Sequence, residues 1–567
     1  MSYLRLDRNT PARQQQRGAA FIVMLVVLVL GIATVLVASL STAGLKIERD
    51  VKTTEALAQA KDALIGKSAT YDDYPGSLPC PDTDDDGTSN AGGVTDCPQY
   101  IGRLPWKTLG LPDLRDAAGE RLWYVLSRNV RRYDSVRPLN SEVVGTLSIT
   151  GTSPENNLLA IVFAPGSAIG GQRRSSTQSA LCVTTNTSIP ENRCAANYLE
   201  GSNDDLDPNL AFQNANSAIE FNDQLISISH DQLFTTTEKR VANEIKNVLK
   251  TYYAAWGAFP FAATFADPTN AANFKGSVGT YSGLIPVDDQ TYIPTWNSTP
   301  TISFDGAIVG GPMNCILNND TGGGNYSRWR CCKVDYSDTP PSCFSSNITI
   351  PVGVTVTITG KLNGVGLGLW RPHNINNVCE VRARDSGGNT VLISTLFAPN
   401  SVSVTNTLDT NGRATIVFQA TGKTGGSTLQ RIELRDILSY KTDITNNNDK
   451  DLCPLTPAAS PVAPTWLFDD ATRFNNWHQV SYYAVAEEFA PGGDHTCSPL
   501  PCLTVNGQNG GSNVPAVIVT TGRDITGNRP TSVLTDYLEG QNSTPDTTFE
   551  NKTRSTTFND QVIIIAP

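Results

Sequence analysis

Residues 19–66 read AAFIVMLVVLVLGIATVLVASLSTAGLKIERDVKTTEALAQAKDALIG. The half that ends at Ser39 carries no charge and has the roughly 20-residue length at which a helix crosses the hydrocarbon core of a bilayer. The preceding residues, MSYLRLDRNTPARQQQRG, set Arg5, Arg8, Arg13 and Arg17 against Asp7. A basic flank stays in the cytoplasm, so the remainder is expected to be exported. A secretory signal peptide has a shorter apolar core and ends at a small-residue cleavage site. Here the apolar run passes into a polar helix with Val51, Leu57, Ala60, Leu64 and Ile65 on one face. The expectation is a retained transmembrane helix over 19–42 that continues into the helix of an exported head.

The basic leader ending in Arg17-Gly18, the small Ala19, Phe21 in the apolar run and the helix that is half apolar and half polar resemble the type IV pilin and pseudopilin family. The resemblance implies cleavage after Gly18 by a prepilin peptidase and methylation of the new terminus at Ala19. It also implies storage in the bacterial inner membrane and packing with other pilins or pseudopilins through Phe21, Val23 and Met24. Most members carry Glu at the fifth mature position, where this chain has Val23. That departure is similar to the pseudopilin that caps a type II secretion filament, and it implies a place at a tip.

The chain of 567 residues has a net charge of −11 and a pI near 5.0. Phosphate binding needs an excess of Lys and Arg, so nucleic acid is not an expected partner. All twelve Cys follow the apolar run, as in a protein that matures in an oxidising compartment. Cys80 with Cys97 and Cys182 with Cys194 are expected pairs, and Cys497 and Cys502 are further disulfide candidates. Four His residues supply a multi-His metal site poorly.

Five short matches recur in the same order: KDAL (61–64) with KNVL (246–249), YIGRLPW (100–106) with YSGLIPV (281–287), LLAIVFAPG (158–166) with VPAVIVTTG (514–522), NYLEGSN (197–203) with DYLEGQN (536–542), and FNDQLISI (221–228) with FNDQVIII (558–565). They indicate an internal duplication. Each copy reads as a helix, a Pro-marked loop and strands, and the second helix, EKRVANEIKNVLKTYY, presents Val241, Ile245, Val248, Leu249 and Tyr252 on one face. A helix stripe buries itself on a sheet face. The expected fold is α+β: the transmembrane helix runs into a pilin-like helix on an antiparallel sheet, and the unit is duplicated. The expected boundaries are leader 1–18, transmembrane helix 19–42, copy 1 over 43–235, and copy 2 over 236–300 and 470–567. An insertion over 301–469 has a Cys-rich part and then a strand-rich part, about Ile348 to Ile437, that reads as a β-sandwich. There Val352, Val354, Val356 and Ile358 alternate, as do Ala414, Ile416 and Phe418.

In PCPDTDDDGTSN, carboxylates at Asp82, Asp84 and Asp86 alternate ahead of Gly87, a pattern that can wrap one Ca²⁺ in a structural role. The twelfth position is Gly93 rather than Glu, and Asp96 is the candidate to close the site. The alternative is an acidic, solvated turn. No nucleophile turn has the required spacing, no phosphate-cradling Gly loop opens a helix, and no catalytic residue is assigned. Trp370, in LGLWRPHN, is the candidate for recognition of a surface or carbohydrate. The chain is therefore expected to be a non-enzymatic minor pilin or pseudopilin. It would be single-pass in the inner membrane, with its N-terminus in the cytoplasm and its head in the periplasm or displayed at a pilus tip. A membrane-anchored adhesin using the β-rich insertion is the alternative, and an anchored periplasmic enzyme is the third.

Overall fold

Two helices open the described chain, α1 (Gln16–Ser39) and α2 (Thr42–Ala69). The computed structural model describes residues 16–39, 42–90, 96–131, 137–182, 187–204, 211–217, 219–286, 296–318, 328–362, 369, 380–435, 464, 466–467, 475–498, 501–544 and 546–567. The chain forms two units. The first comprises Met1–Leu64, Pro79–Arg128 and Thr146–Ile228, and the second comprises Ile65–Leu78, Asn129–Gly145 and Ser229–Pro567.

In the first unit α2 buries Thr53, Ala56, Leu57, Ala60 and Leu64, at the spacing of three and four that makes one helical stripe. Val51, expected on that face, is 50% exposed. It precedes Thr53 by two residues, about 200° around the helix. Four strands, β1 (Ile101–Arg103), β2 (Trp123–Leu126), β3 (Ala160–Ala164) and β4 (Gln224–Ile228), form an antiparallel meander in chain order. Trp123 pairs with Phe163, and Val125 with Ile161 and Ile101. These residues share one face and pack with Leu147, Ile149, Tyr198 and Phe212. Tyr124, Leu126, Ala160 and Val162 on the opposite face are also buried, which is why β2 and β3 read as continuous apolar runs.

The second unit begins on a helix cap. The backbone N–H of Ser229 donates to Gln232 Oε1 at 3.0 Å, a capping box that starts α3 (His230–Trp256). Gly257, at φ 71°, ends it with the left-handed residue that helix ends favour. The sequence places this helix at 238–253, and the Thr235–Thr237 run before it has poor helix propensity. The cap and the burial of Leu233 and Phe234 override that local preference. Strands β5 (Ser282–Leu284), β6 (Ser481–Val485), β7 (Ala516–Thr520) and β8 (Gln561–Ile565) form a second antiparallel meander in chain order. The helix α3 packs on β7 and β8.

The matched sequence segments occupy corresponding strands of the two sheets: β1 and β5, β3 and β7, β4 and β8. The hydroxyl of buried Tyr124 donates to the Pro79 carbonyl at 3.2 Å, and that of buried Tyr483 to the Pro260 carbonyl at 3.0 Å. Gly102 and Gly283 take equivalent places. A Cβ would stand 2.6 Å from the Asp82 carbonyl in one and 1.9 Å from the Ala263 carbonyl in the other, so close backbone approach requires Gly at both.

Within the second unit, the described residues between 296 and 435 form a β-sandwich. One sheet orders Trp296–Phe304, Thr355–Leu362, Ala414–Gly422 and Phe397–Leu408. The other orders Asn314–Asn318, Arg328–Cys332, Ser427–Arg435, Glu380–Asp385 and Thr390–Leu392, with Ile348–Ile350 also paired to Ser427–Arg435. Val356, Ile358, Ile416 and Phe418 meet Trp329, Val381, Ile432 and Leu434 in its core. The Cys-rich segment supplies strands of this sandwich rather than preceding it. Cys315 and Cys331 stand opposite each other on paired strands and are bonded, and Cys332 bonds Cys343. The alternation at Val352 and Val354 starts too early: the strand begins at Thr355, and Val352 is 57% exposed.

Candidate functional site

The acidic loop is held by its own first carboxylate. Asp82 is 1% exposed. Its Oδ1 accepts the backbone N–H groups of Asp84 (3.1 Å) and Asp85 (2.7 Å), and its Oδ2 that of Gly87 (2.7 Å). The turn passes through Asp85 at φ 65° and Gly87 at φ 87°. At Gly87 a Cβ would strike the Trp106 ring at 2.6 Å. Carboxylate oxygens of Asp82, Asp84 and Asp86 lie within 4.8 Å of one another. Burial, followed by a contact with the Asp84 carboxyl, pushes the Asp82 carboxyl up to about 6.

Asp85 is drawn out of that cluster by Arg121, at 2.9 Å. Asp96 turns elsewhere: its Oδ1 accepts the Cys97 N–H at 2.9 Å and the Tyr100 hydroxyl. The disulfide Cys80–Cys97, with a Cα–Cα distance of 5.6 Å, closes the loop. The chemistry of the three converging oxygens fits a hard cation. In the second unit Ala263 takes the place of Asp82, bridging to Leu284 as Asp82 bridges to Arg103, so the acidic loop is confined to the first sheet.

Gly18 and Ala19 lie in the first turn of α1. Beyond them Phe21 is 71%, Val23 62% and Met24 70% exposed, and the apolar residues through Leu30 and Ile32 are all at least about half exposed. A helix that is apolar on every side has no single face to bury in its own head. The described side chains of α1 run from Phe21 to Ile32, with Thr34. Among the described residues no helix is long and apolar enough to cross a membrane.

A second arrangement was not legible as a site and occurs once in each unit. Glu200 and Asp223 clasp each other: the Glu200 N–H donates to Asp223 Oδ2 at 2.9 Å, and the Asp223 N–H to Glu200 Oε2 at 3.1 Å. Asn203 Nδ2 adds a bond to Asp223 Oδ2 at 2.9 Å. In the second unit the Glu539 N–H donates to Asp560 Oδ2 at 2.9 Å, Asn542 Nδ2 donates to the same oxygen at 3.0 Å, and the Asn559 N–H donates to Glu539 Oε2 at 3.0 Å.

An arginine frames each clasp. Arg174 bonds the carbonyls of Asn197 and Gly166 over the ring of Tyr198, and Arg529 those of Asp536 and Gly522 over Tyr537. The repeated YLEG-x-N and FND words were the signal. They served as markers of duplication because neither places Glu and Asp at a chemically telling spacing.

No protein-family model, curated protein or solved structure matches the chain.

The remaining candidates fall as follows. Cys182 bonds Cys194, and Cys497 bonds Cys502. Trp370 lies outside the described residues. His478 is buried, with Nδ1 2.7 Å from the Leu467 carbonyl, a structural contact.

Proposed function

We propose that the chain is a minor, tip-type pilin or pseudopilin component of a type IV pilus or type II secretion filament, acting in assembly and interaction. The observation that carries this reading is α1: a helix over Gln16–Ser39 without a charge after Arg17 and with exposed apolar side chains from Phe21 to Ile32. Such a surface suits the bilayer before assembly and the packed helices of a filament afterwards. The leader would be cut after Gly18 by a prepilin peptidase and the new terminus methylated at Ala19. The anchor would lie in the bacterial inner membrane with the head in the periplasm, and other pilins or pseudopilins would be its partners. The likeness of the two sheets supports a duplicated head on one anchor, a bulk that suits one end of a filament better than every position along it. Mass spectrometry of protein from a bacterium with a prepilin peptidase is expected to find Ala19 at the N-terminus, methylated. A terminus at Met1, or cleavage near Ser41, would sink the reading.

Asp82, Asp84 and Asp86 would hold a structural Ca²⁺, which would offset the repulsion of three converging carboxylates. Chelation is expected to lower the melting temperature and added Ca²⁺ to restore it. Saturation at about 100 times the dissociation constant contributes about 2.7 kcal/mol. Asp84→Ala should melt at one temperature with or without the ion. A calcium response equal to that of the unsubstituted chain would remove this loop from consideration.

A further inference from the structure

The clasped carboxyls Glu200 and Asp223, and Glu539 and Asp560, are buried titratable groups that neither the anchor nor the acidic loop uses. We infer that each pair shares one proton and serves as a latch that ties the closing strand of its sheet to the preceding YLEG loop and loosens as pH rises. The geometry carries this. Asp223 is 5% and Asp560 1% exposed, and in each the Oδ2 is fully engaged while the Oδ1 has no hydrogen-bond partner. An orphaned acceptor recurs at the same position of both repeats, beside a second carboxyl. A proton on that oxygen turns two facing acceptors into a donor and an acceptor and removes one of two like charges from a site of low dielectric.

The surrounding cations neutralise the pairs only in part. In the first unit Glu200 Oε1 accepts from Gln172 at 2.7 Å. Arg174 reaches Gln172 rather than the pair and is itself bridged to Glu120 at 3.1 Å. In the second, Arg529 stands 3.9 Å from Glu539 but 2.8 Å from Glu142. Arg554 bears on Asp560 and Asp231 while bonded to Glu238. Burial, reinforced by the Glu200 charge, pushes the Asp223 carboxyl up to about 8. Burial and the Glu539 charge hold Asp560 well above the ordinary carboxylate range, and burial raises Glu539.

The sign follows from the two end states. Unfolded Asp and Glu lose their protons near pH 4, whereas the folded first pair keeps one to about pH 8. The folded chain binds the extra proton between those values, so the latch is strongest in acid and its contribution falls as pH climbs through that window.

The test uses the full chain in detergent and the double variant Asp223→Asn/Asp560→Asn, whose amides can donate where the proton would. The protonated-carboxyl C=O stretch in the infrared at neutral pH is expected in the parent and lost in part from the variant. The drop in urea midpoint between pH 5 and pH 9 is expected to be smaller in the variant. If the amides fail to fold, Glu200→Gln/Glu539→Gln supplies a donor from the other side and should give the same two results. An undiminished carboxyl band, or parallel pH curves in the variant that folds, would overturn the shared proton.

Discussion

On the proposed membrane anchor, Leu28→Arg is expected to remove the protein from the membrane fraction. Leu28 stands near the middle of the uncharged Ala19–Ser39 run and is 58% exposed, so no pocket of the chain would receive the guanidinium. A charged residue at the centre of a spanning helix costs about 2.5–3.5 kcal/mol, and the lost leucine about 0.5 kcal/mol more. The sum is a factor on the order of 100 in insertion at about 1.4 kcal/mol per tenfold. The nearest flank of α1 is too far for the side chain to reach water from the centre by snorkelling. Carbonate extraction followed by immunoblotting reads the outcome, with Leu28→Ala as the control that keeps an apolar residue there. Retention of the arginine variant at the parental level would mean that the helix does not span.

The second large effect lies in the head. Glu238 is a fully buried carboxylate on the inner side of α3, bonded to Arg554 and accepting the Ser141 hydroxyl at 2.7 Å. Arg554→Ala leaves that charge uncompensated in a dry site and should destabilise the second unit by about 3–5 kcal/mol. Replacing both partners by neutral residues of similar shape, Glu238→Gln with Arg554→Met, removes the stranded charge and is expected to recover most of the loss. Urea unfolding followed by tryptophan fluorescence measures both. Equal losses in the single and the double variant would assign the effect to packing of the arginine stem.

The strands that form the sheet centres were legible because both their faces are covered: AIVFA is apolar throughout and AVIVT is apolar up to Thr520, and no alternation was needed to find them. The helix face of α3 was legible from Val241 to Tyr252 for the related reason that its period is 3.6. Its first two turns were hidden, since HDQLFTTT has poor helix propensity and depends on the cap at Ser229 and on tertiary burial of Phe234. The sandwich boundary failed at the cysteines. Arg328–Cys332 looks like loop sequence until it is seen as an inner strand, with Trp329 and Cys331 facing the core.

In the site, Asp82, Asp84 and Asp86 could be read because a cation loop has a local spacing rule, whereas Asp96 is claimed by Tyr100 and Cys97. The clasps could not be read. Their partners are joined by folding across long separations, and only the comparison of one repeat with the other marks Glu200, Asp223, Glu539 and Asp560 as a set.

Both meanders pair each strand with the strand that precedes it in the same sheet, although other segments intervene, the β-sandwich between β5 and β6 among them. If the head is exported as proposed, with the residues after α1 crossing in chain order, no strand of either sheet waits for a partner still inside the cell. Each sheet would then grow one edge at a time, and the exposed edge would always be the next strand's docking line. The final strand of each sheet, which brings Asp223 or Asp560 to its glutamate, would then act as a completion mark, engaged only when all four strands have formed.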